Sequence, residues 1–315
     1  MSEVIDLLIN NQWILSVAIA LLGGGLAVWV QLRAKQSQAS RQTKQDASAG
    51  SRLTVAMILL AVIVAGATYW ILFDKPVISP TAALDAPEVG QARPQNTRLL
   101  VLVHGWNGDT RDTWQAFPSL IRSDASFTSF DLWAINYPTF QVRRNLGIDQ
   151  MARWLNETMV RKGYYDKYQE IYVIAHSMGG LIAREMLLVN RLSRDNQAYK
   201  SLIEIATPHQ GANPGTLLSV LGLSRGFSDD LTPGSPMLRA LHEKWNSLKD
   251  RPPTYCLSSP HDLVVTQDSA VFQCDEFLYY PEWGHIEMVK PSLLKDDRYD
   301  VPMSRVRLIR DRLKQ

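Results

Sequence analysis

Among the hydroxyls of this chain, that of Ser177 has the neighbours a nucleophile needs. Residues 171–180 read Ile-Tyr-Val-Ile-Ala-His-Ser-Met-Gly-Gly. The apolar, β-branched start predicts a buried parallel strand, and it runs without a spacer into 178–189, whose pattern predicts a helix. A serine on such a strand-to-helix turn is lifted above its sheet, provided small residues two places before and after it let the backbones approach. Ala175 and Gly179 occupy those places. The chemistry on offer is attack on a carbonyl carbon. It requires an imidazole to take the hydroxyl proton and a carboxylate to hold that imidazole in the productive tautomer. The plainer alternative is a Ser-Gly loop after an ordinary core strand.

Around this turn the chain alternates strand and helix. Residues 98–103 predict the first buried strand, which runs into His104-Gly105-Trp106-Asn107-Gly108; a helix follows at 113–122 and a strand at 130–135. Residues 146–161 predict a helix with Ile148, Met151, Trp154, Leu155 and Met159 on one face. Beyond the turn, 201–206 is a strand ending in Thr207-Pro208-His209-Gln210-Gly211. From 212 to about 250 the alternation breaks, with Leu217, Leu218, Val220, Leu221 and Leu223 clustered, and a small cap is expected there. Strands follow at 254–257 and 276–280, then a closing helix at 304–314. Its Val306, Ile309 and Leu313 alternate with Arg305, Arg307, Arg310, Arg312 and Lys314, suiting either a helix packed on the sheet with a solvated basic face or an anionic membrane surface. Strands separated by helices imply the α/β class, with a mostly parallel sheet of about six strands and flanking helices.

Six segments occur in order: Val-His-Gly-Trp (103–106), Ala-His-Ser-Met-Gly-Gly (175–180), Ala-Thr-Pro-His-Gln-Gly (206–211), Leu-Thr-Pro-Gly-Ser-Pro (231–236), Ser-Pro-His-Asp-Leu-Val-Val (259–265) and Trp-Gly-His (283–285). Together they resemble the α/β-hydrolase family, in particular bacterial lipases and the domains related to GPI inositol-deacylase. The resemblance covers about residues 98–290 and lacks the family's first two strands; Ala175 replaces the glycine of the usual turn. It implies an α/β-hydrolase fold and the chain order serine, acid, histidine. On that order His285, the one histidine after the late acidic residues, is the base, and Asp262 is the acid, with Asp268 as its rival. The bland alternatives are a turn aspartate capping backbone amides and a polar histidine in a Trp-Gly-His turn. Met178 and Trp106 are expected to supply the amides of an oxyanion hole. His104, His176 and His209 are grouped on the substrate side, with His104 tying down its loop, His176 packing within the turn and His209 lining the pocket or serving its own turn.

No histidine among His209, His242 and His261 has a partner at metal-ligand spacing, so no metal and no cofactor is expected. Of the two cysteines, Cys256 falls in the strand 254–257 and Cys274 at the entrance to 276–280, its expected neighbour in the sheet. They suit a disulfide in an oxidising compartment, or two buried thiols in a reducing one.

The first 75 residues have a different composition. Segments 13–30 and 53–73 are apolar and long enough to cross a hydrocarbon core of about 30 Å as two transmembrane helices. Small residues at 23–25 and 65–67 would let them pack as a hairpin. The loop 31–52 carries Arg33, Lys35, Arg41, Lys44 and Arg52 against Asp46, which places it in the cytoplasm. Both ends of the chain are then extracytoplasmic, in the periplasm of a bacterium with two membranes. Residues 76–97, with Pro76, Pro80, Pro87 and Pro94, read as a tether, and 98–315 as the catalytic domain. A formal charge of +2 with dispersed basic residues gives no nucleic-acid footprint. The expectation is an integral membrane serine hydrolase for lipid or other esters. A scaffold that has lost turnover and an acyltransferase with the same three residues are its competitors, and no protein partner is legible.

Overall fold

The computed structural model describes residues 57, 93–106, 108–137, 147–194, 197–212 and 229–314. The fold set out here lies in the unit Pro76–Gln315. Apart from Met57, the expected spans and the loop joining them fall outside the described residues, as do most of the tether and residues 213–228 of the expected cap. Among the described residues no helix is long and apolar enough to cross a membrane.

Six strands form one parallel sheet: β1 (Arg98–Val103), β2 (Phe130–Ile135), β3 (Glu170–His176), β4 (Tyr199–Ile205), β5 (Thr254–Ser258) and β6 (Glu276–Tyr279). Their order is β2-β1-β3-β4-β5-β6, so β3 sits near the middle. The near-continuous apolar runs of β1, β2 and β3 follow from burial on both faces. Alternate residues feed two cores. Leu99, Val101, Val103, Ile171 and Val173 face one; Leu100, Leu102, Tyr172 and Ile174 face the other.

The first core is closed by α3 (Ile148–Arg161), α5 (Met178–Arg194) and α6 (Pro236–Ser247). The second is closed by α1 (Thr110–Trp114), α2 (Phe117–Ser123) and α8 (Asp297–Arg312). The short α4 (Tyr164–Lys167) precedes β3, and α7 (Gln267–Ala270) lies between β5 and β6.

Three expectations change. The helix expected at 113–122 is divided into α1 and α2 by Gln115, whose φ of +43° no helix accommodates. The described part of the expected cap contains α6, which buries Leu238, Leu241 and Trp245 in the same core as α5, so this helix belongs to the main layer. The closing helix starts at Asp297, capped by Asp296, and keeps Pro302 inside. Two of the arginines on its basic face are paired rather than simply solvated: Arg305 meets Glu276 at 3.0 Å and Arg307 meets Asp124 at 3.1 Å.

Candidate active site

Strand β3 ends at His176 and α5 begins at Met178, so Ser177 alone makes the turn, with φ of +54°. A non-glycine residue in that region is strained and is held by its surroundings. The Ser177 amide donates to the Ile205 carbonyl at 2.8 Å, and the Ser177 carbonyl accepts from the Gly180 amide at 2.9 Å. Two close approaches lock the loop after β1 against this turn. A Cβ on Gly105 would lie 2.8 Å from the Ser177 Cβ, and a Cβ on Gly179 would lie 2.6 Å from the Val103 carbonyl oxygen. Ala175, by contrast, is fully buried beside Val103 and Glu204 in the neighbouring strands.

The carboxyl edge of the sheet brings the other two residues in from far down the chain. His285 Nε2 lies 2.9 Å from Ser177 Oγ, and His285 Nδ1 lies 2.8 Å from Asp262 Oδ2. Ser177 and His285 are 4% and 6% exposed. The second oxygen of Asp262, Oδ1, accepts the amides of Val264 and Val265 at 2.8 and 2.9 Å. Asp262 therefore caps its own turn with one oxygen and orients the imidazole with the other. Asp268 lies on α7, in its first turn, and the Nδ1 position is taken by Asp262. Met178 opens α5, so its amide stands at the positive end of a helix dipole. Trp106, 7% exposed, follows the Gly105 that packs on Ser177.

The three histidines grouped with the substrate are buried in the protein itself. His104 is fully buried, with Nδ1 2.8 Å from the Gly105 carbonyl and Nε2 3.4 Å from the Tyr137 amide that donates to it. Its ring stacks on Tyr137 with centroids 4.1 Å apart, and burial pushes its pKa down to about 4. It ties the loop down and has no free ring nitrogen for a substrate. His176 donates from Nε2 to the His285 carbonyl at 2.9 Å; burial, with His285 nearby, pushes its pKa down to about 3. His209 is fully buried, with Nε2 3.2 Å from Glu204 and 3.1 Å from Arg184 Nη2, and burial foremost lowers its pKa to about 4.

His209 thereby belongs to a network the sequence reading missed. Arg184 on α5 and Glu204 on β4 form an ion pair at 2.7 Å with both side chains fully buried. Burial alone would raise the Glu204 pKa, but Arg184 and His209 hold it below its ordinary value. The signal was a lone glutamate in the apolar strand Leu-Ile-Glu-Ile, together with an arginine within the apolar start of α5. Beside the network, Cys256 of β5 and Cys274, just before β6, form a disulfide with Cα atoms 6.0 Å apart. The metal-ligand types Glu204, His209, Cys256 and Cys274 have ligand atoms within 4.8 Å of one another. The disulfide engages the two cysteines, and Arg184 engages Glu204 and His209.

A model described as the alpha/beta hydrolase family matches residues 100–313. The chain belongs to the alpha/beta hydrolase family. Its arrangement of serine after β3, aspartate after β5 and histidine after β6 is thus set within a known hydrolase frame. Among solved hydrolases, it is similar to the Bacillus licheniformis lipase BlEst2 in mature form, at 15% identity and a TM-score of 0.54, over 68% of this chain and 93% of that one. Phospholipase PlaB from Legionella pneumophila is 20% identical with a TM-score of 0.46, over 55% of this chain and 44% of that one. The type II thioesterase YbtT of the yersiniabactin pathway is 16% identical with a TM-score of 0.44, over 71% and 96%. At these identities the likeness is one of fold. No curated protein matches the chain by sequence.

Proposed function

We propose that this hydrolase cleaves carboxylic esters through an acyl-enzyme on Ser177, and that it works as a membrane-anchored lipase or esterase. The observation that carries the reading is the continuous path from Asp262 through His285 to Ser177, at 2.8 and 2.9 Å, ending on a strained turn. Ser177 Oγ attacks the carbonyl carbon while His285 Nε2 takes its proton. Asp262, an acceptor only, keeps the proton of His285 on Nδ1 and stabilises the imidazolium that forms. The tetrahedral oxyanion is received by the amides of Met178 and Trp106, each such donor being typically worth a factor of about 10² to 10³. Collapse passes the proton from Nε2 to the leaving alcohol. Water then repeats the sequence on the acyl-enzyme and frees the acid.

Two features favour a lipid acyl ester. The residues directly after the acid and the base, Leu263 and Ile286, are apolar and 82% and 38% exposed. The segments 13–30 and 53–73 have the length and apolarity of spans, which would tether the hydrolase domain to a bilayer. An extracytoplasmic domain would also suit the disulfide. The test is labelling with a fluorophosphonate probe, followed by hydrolysis of p-nitrophenyl esters of graded chain length. The parent protein takes the label and Ser177→Ala does not; rates rise with acyl length up to long chains. A folded parent that takes no label would leave a scaffold as the reading. A preference for acetate over every longer acyl group would retain the esterase and remove the lipase.

A further inference from the structure

Ester cleavage as set out above makes no use of the bond between His176 and the main chain of His285. His176 Nε2 lies 2.9 Å from the His285 carbonyl oxygen, and the two rings are tilted against each other with centroids 5.0 Å apart. A carbonyl oxygen can only accept, so Nε2 of His176 carries the proton. The ring is 5% exposed, and its lowered pKa of about 3, due to burial and then to His285, keeps it neutral. Such a donor neither titrates away near neutral pH nor adds charge beside the imidazolium that forms on His285.

The placement of the two partners gives this bond its consequence. His285 stands in a turn between β6 and the 3₁₀ turn Glu287–Val289, outside any strand or helix. Its ring is held by Asp262 at Nδ1, which leaves its backbone to be fixed by something else. His176 is the last residue of the central strand β3 and directly precedes the nucleophile. One dipeptide therefore meets both the ring and the main chain of His285: Ser177 Oγ at its Nε2, and His176 at its carbonyl. The loop after β1 presses on the same point, since a Cβ on Gly105 would come within 3.0 Å of the His176 carbonyl.

We propose that His176 is a positioning residue, a neutral clamp that fixes the backbone of the general base relative to the nucleophile. This rests on reading Ser177 as nucleophile and His285 as base. A displacement of about 1 Å at a reacting group lowers rates by about 10²-fold, so a clamp of this kind is felt in the chemical step.

The experiment uses the full chain in detergent and reads the second-order rate of fluorophosphonate labelling, together with kcat and KM for a p-nitrophenyl ester. His176→Phe keeps a ring of similar size without a donor, whereas His176→Gln places an amide donor near the former Nε2. His176→Phe is expected to slow labelling and lower kcat by about 10- to 100-fold with KM nearly unchanged, and His176→Gln to recover most of the loss. If His176→Phe does not fold, His176→Met supplies the donor-free member of the comparison with Gln. Labelling at the parental rate in the donor-free variant would overturn the proposal. So would equal losses in the donor-free and Gln variants, because the bond would then not matter beyond packing. A parent that takes no label at Ser177 would instead overturn the hydrolase reading beneath it, before any change at position 176.

Discussion

At the scale of single residues, Asp262 separates two roles that the same side chain performs with different oxygens. Asp262→Asn retains an oxygen for the Val264 and Val265 amides, but its second group is no longer an anion facing His285 Nδ1. The imidazole then loses its enforced tautomer, and kcat is expected to fall by about 10⁴-fold while the protein stays folded. Asp268→Asn, on α7, is expected to change kcat by less than about threefold, in line with substitutions away from any special feature. Steady-state kinetics of the two variants on one ester check both statements, and the reverse ranking would make Asp268 the acid. The placement of Ser177, Asp262 and His285 was legible because residue type and chain order leave few arrangements for this chemistry. His104 as the tie of its loop and His176 as a packing residue were legible as well, whereas the buried ion pair that His209 meets was not. A histidine in the turn after a strand has the same letter whether its ring meets a substrate or a buried ion pair, and only packing tells the two apart.

At the scale of elements, strands were easier to read than helix ends. A strand buried on both faces must be an unbroken apolar run, and β1, β2 and β3 are such runs. Helix α8 was read too short because its first turn is polar and Pro302 lies within it, whereas the Asp296 cap starts it at Asp297. The coupling between elements was least visible, since Arg184 on α5 and Glu204 on β4 stand 20 positions apart. Arg184→Met leaves the Glu204 carboxylate buried without its partner, and is expected to cost about 3–5 kcal/mol in urea unfolding. Adding Glu204→Gln removes the stranded charge, so the double variant is expected to be more stable than Arg184→Met. A double variant no better than the single one would mean that the pair is not a closed unit. The disulfide acts nearby in another way. It closes a loop of separation 18 that contains Asp262, and the chain-entropy model gives it about 3 kcal/mol. Unfolding with and without a dithiol reductant measures that figure, and a reductant without effect on a chain shown to be oxidised would contradict it.

At the scale of the whole molecule, three buried neutral histidines make stability depend on pH in a definite direction. His104, His176 and His209 have pKa values pushed down to about 4, 3 and 4 from 6.5, burial being the main cause in each. In the unfolded chain they protonate near 6.5, so between that pH and about 4 the unfolded state binds more protons than the folded one. Stability is therefore complete above about pH 6.5 and falls as the solution is acidified, by up to about 1.4 kcal/mol per pH unit for each histidine. Glu204 adds to the fall below the ordinary carboxylate range, because its folded pKa is lowered. Asp230, whose pKa burial raises, acts in the opposite sense over the same acid range. One group of that sign does not offset three histidines, whose window also opens at higher pH. The melting temperature is thus expected to hold between pH 8 and 7 and to decline progressively from about pH 6.5 to 4.5. His104→Gln, which keeps a polar side chain without a titrating ring, should shallow that decline by one proton's share even if it lowers the plateau. A melting temperature that is flat from pH 7 to 5 would show that these rings take up protons as readily inside the fold as outside it, contrary to their burial.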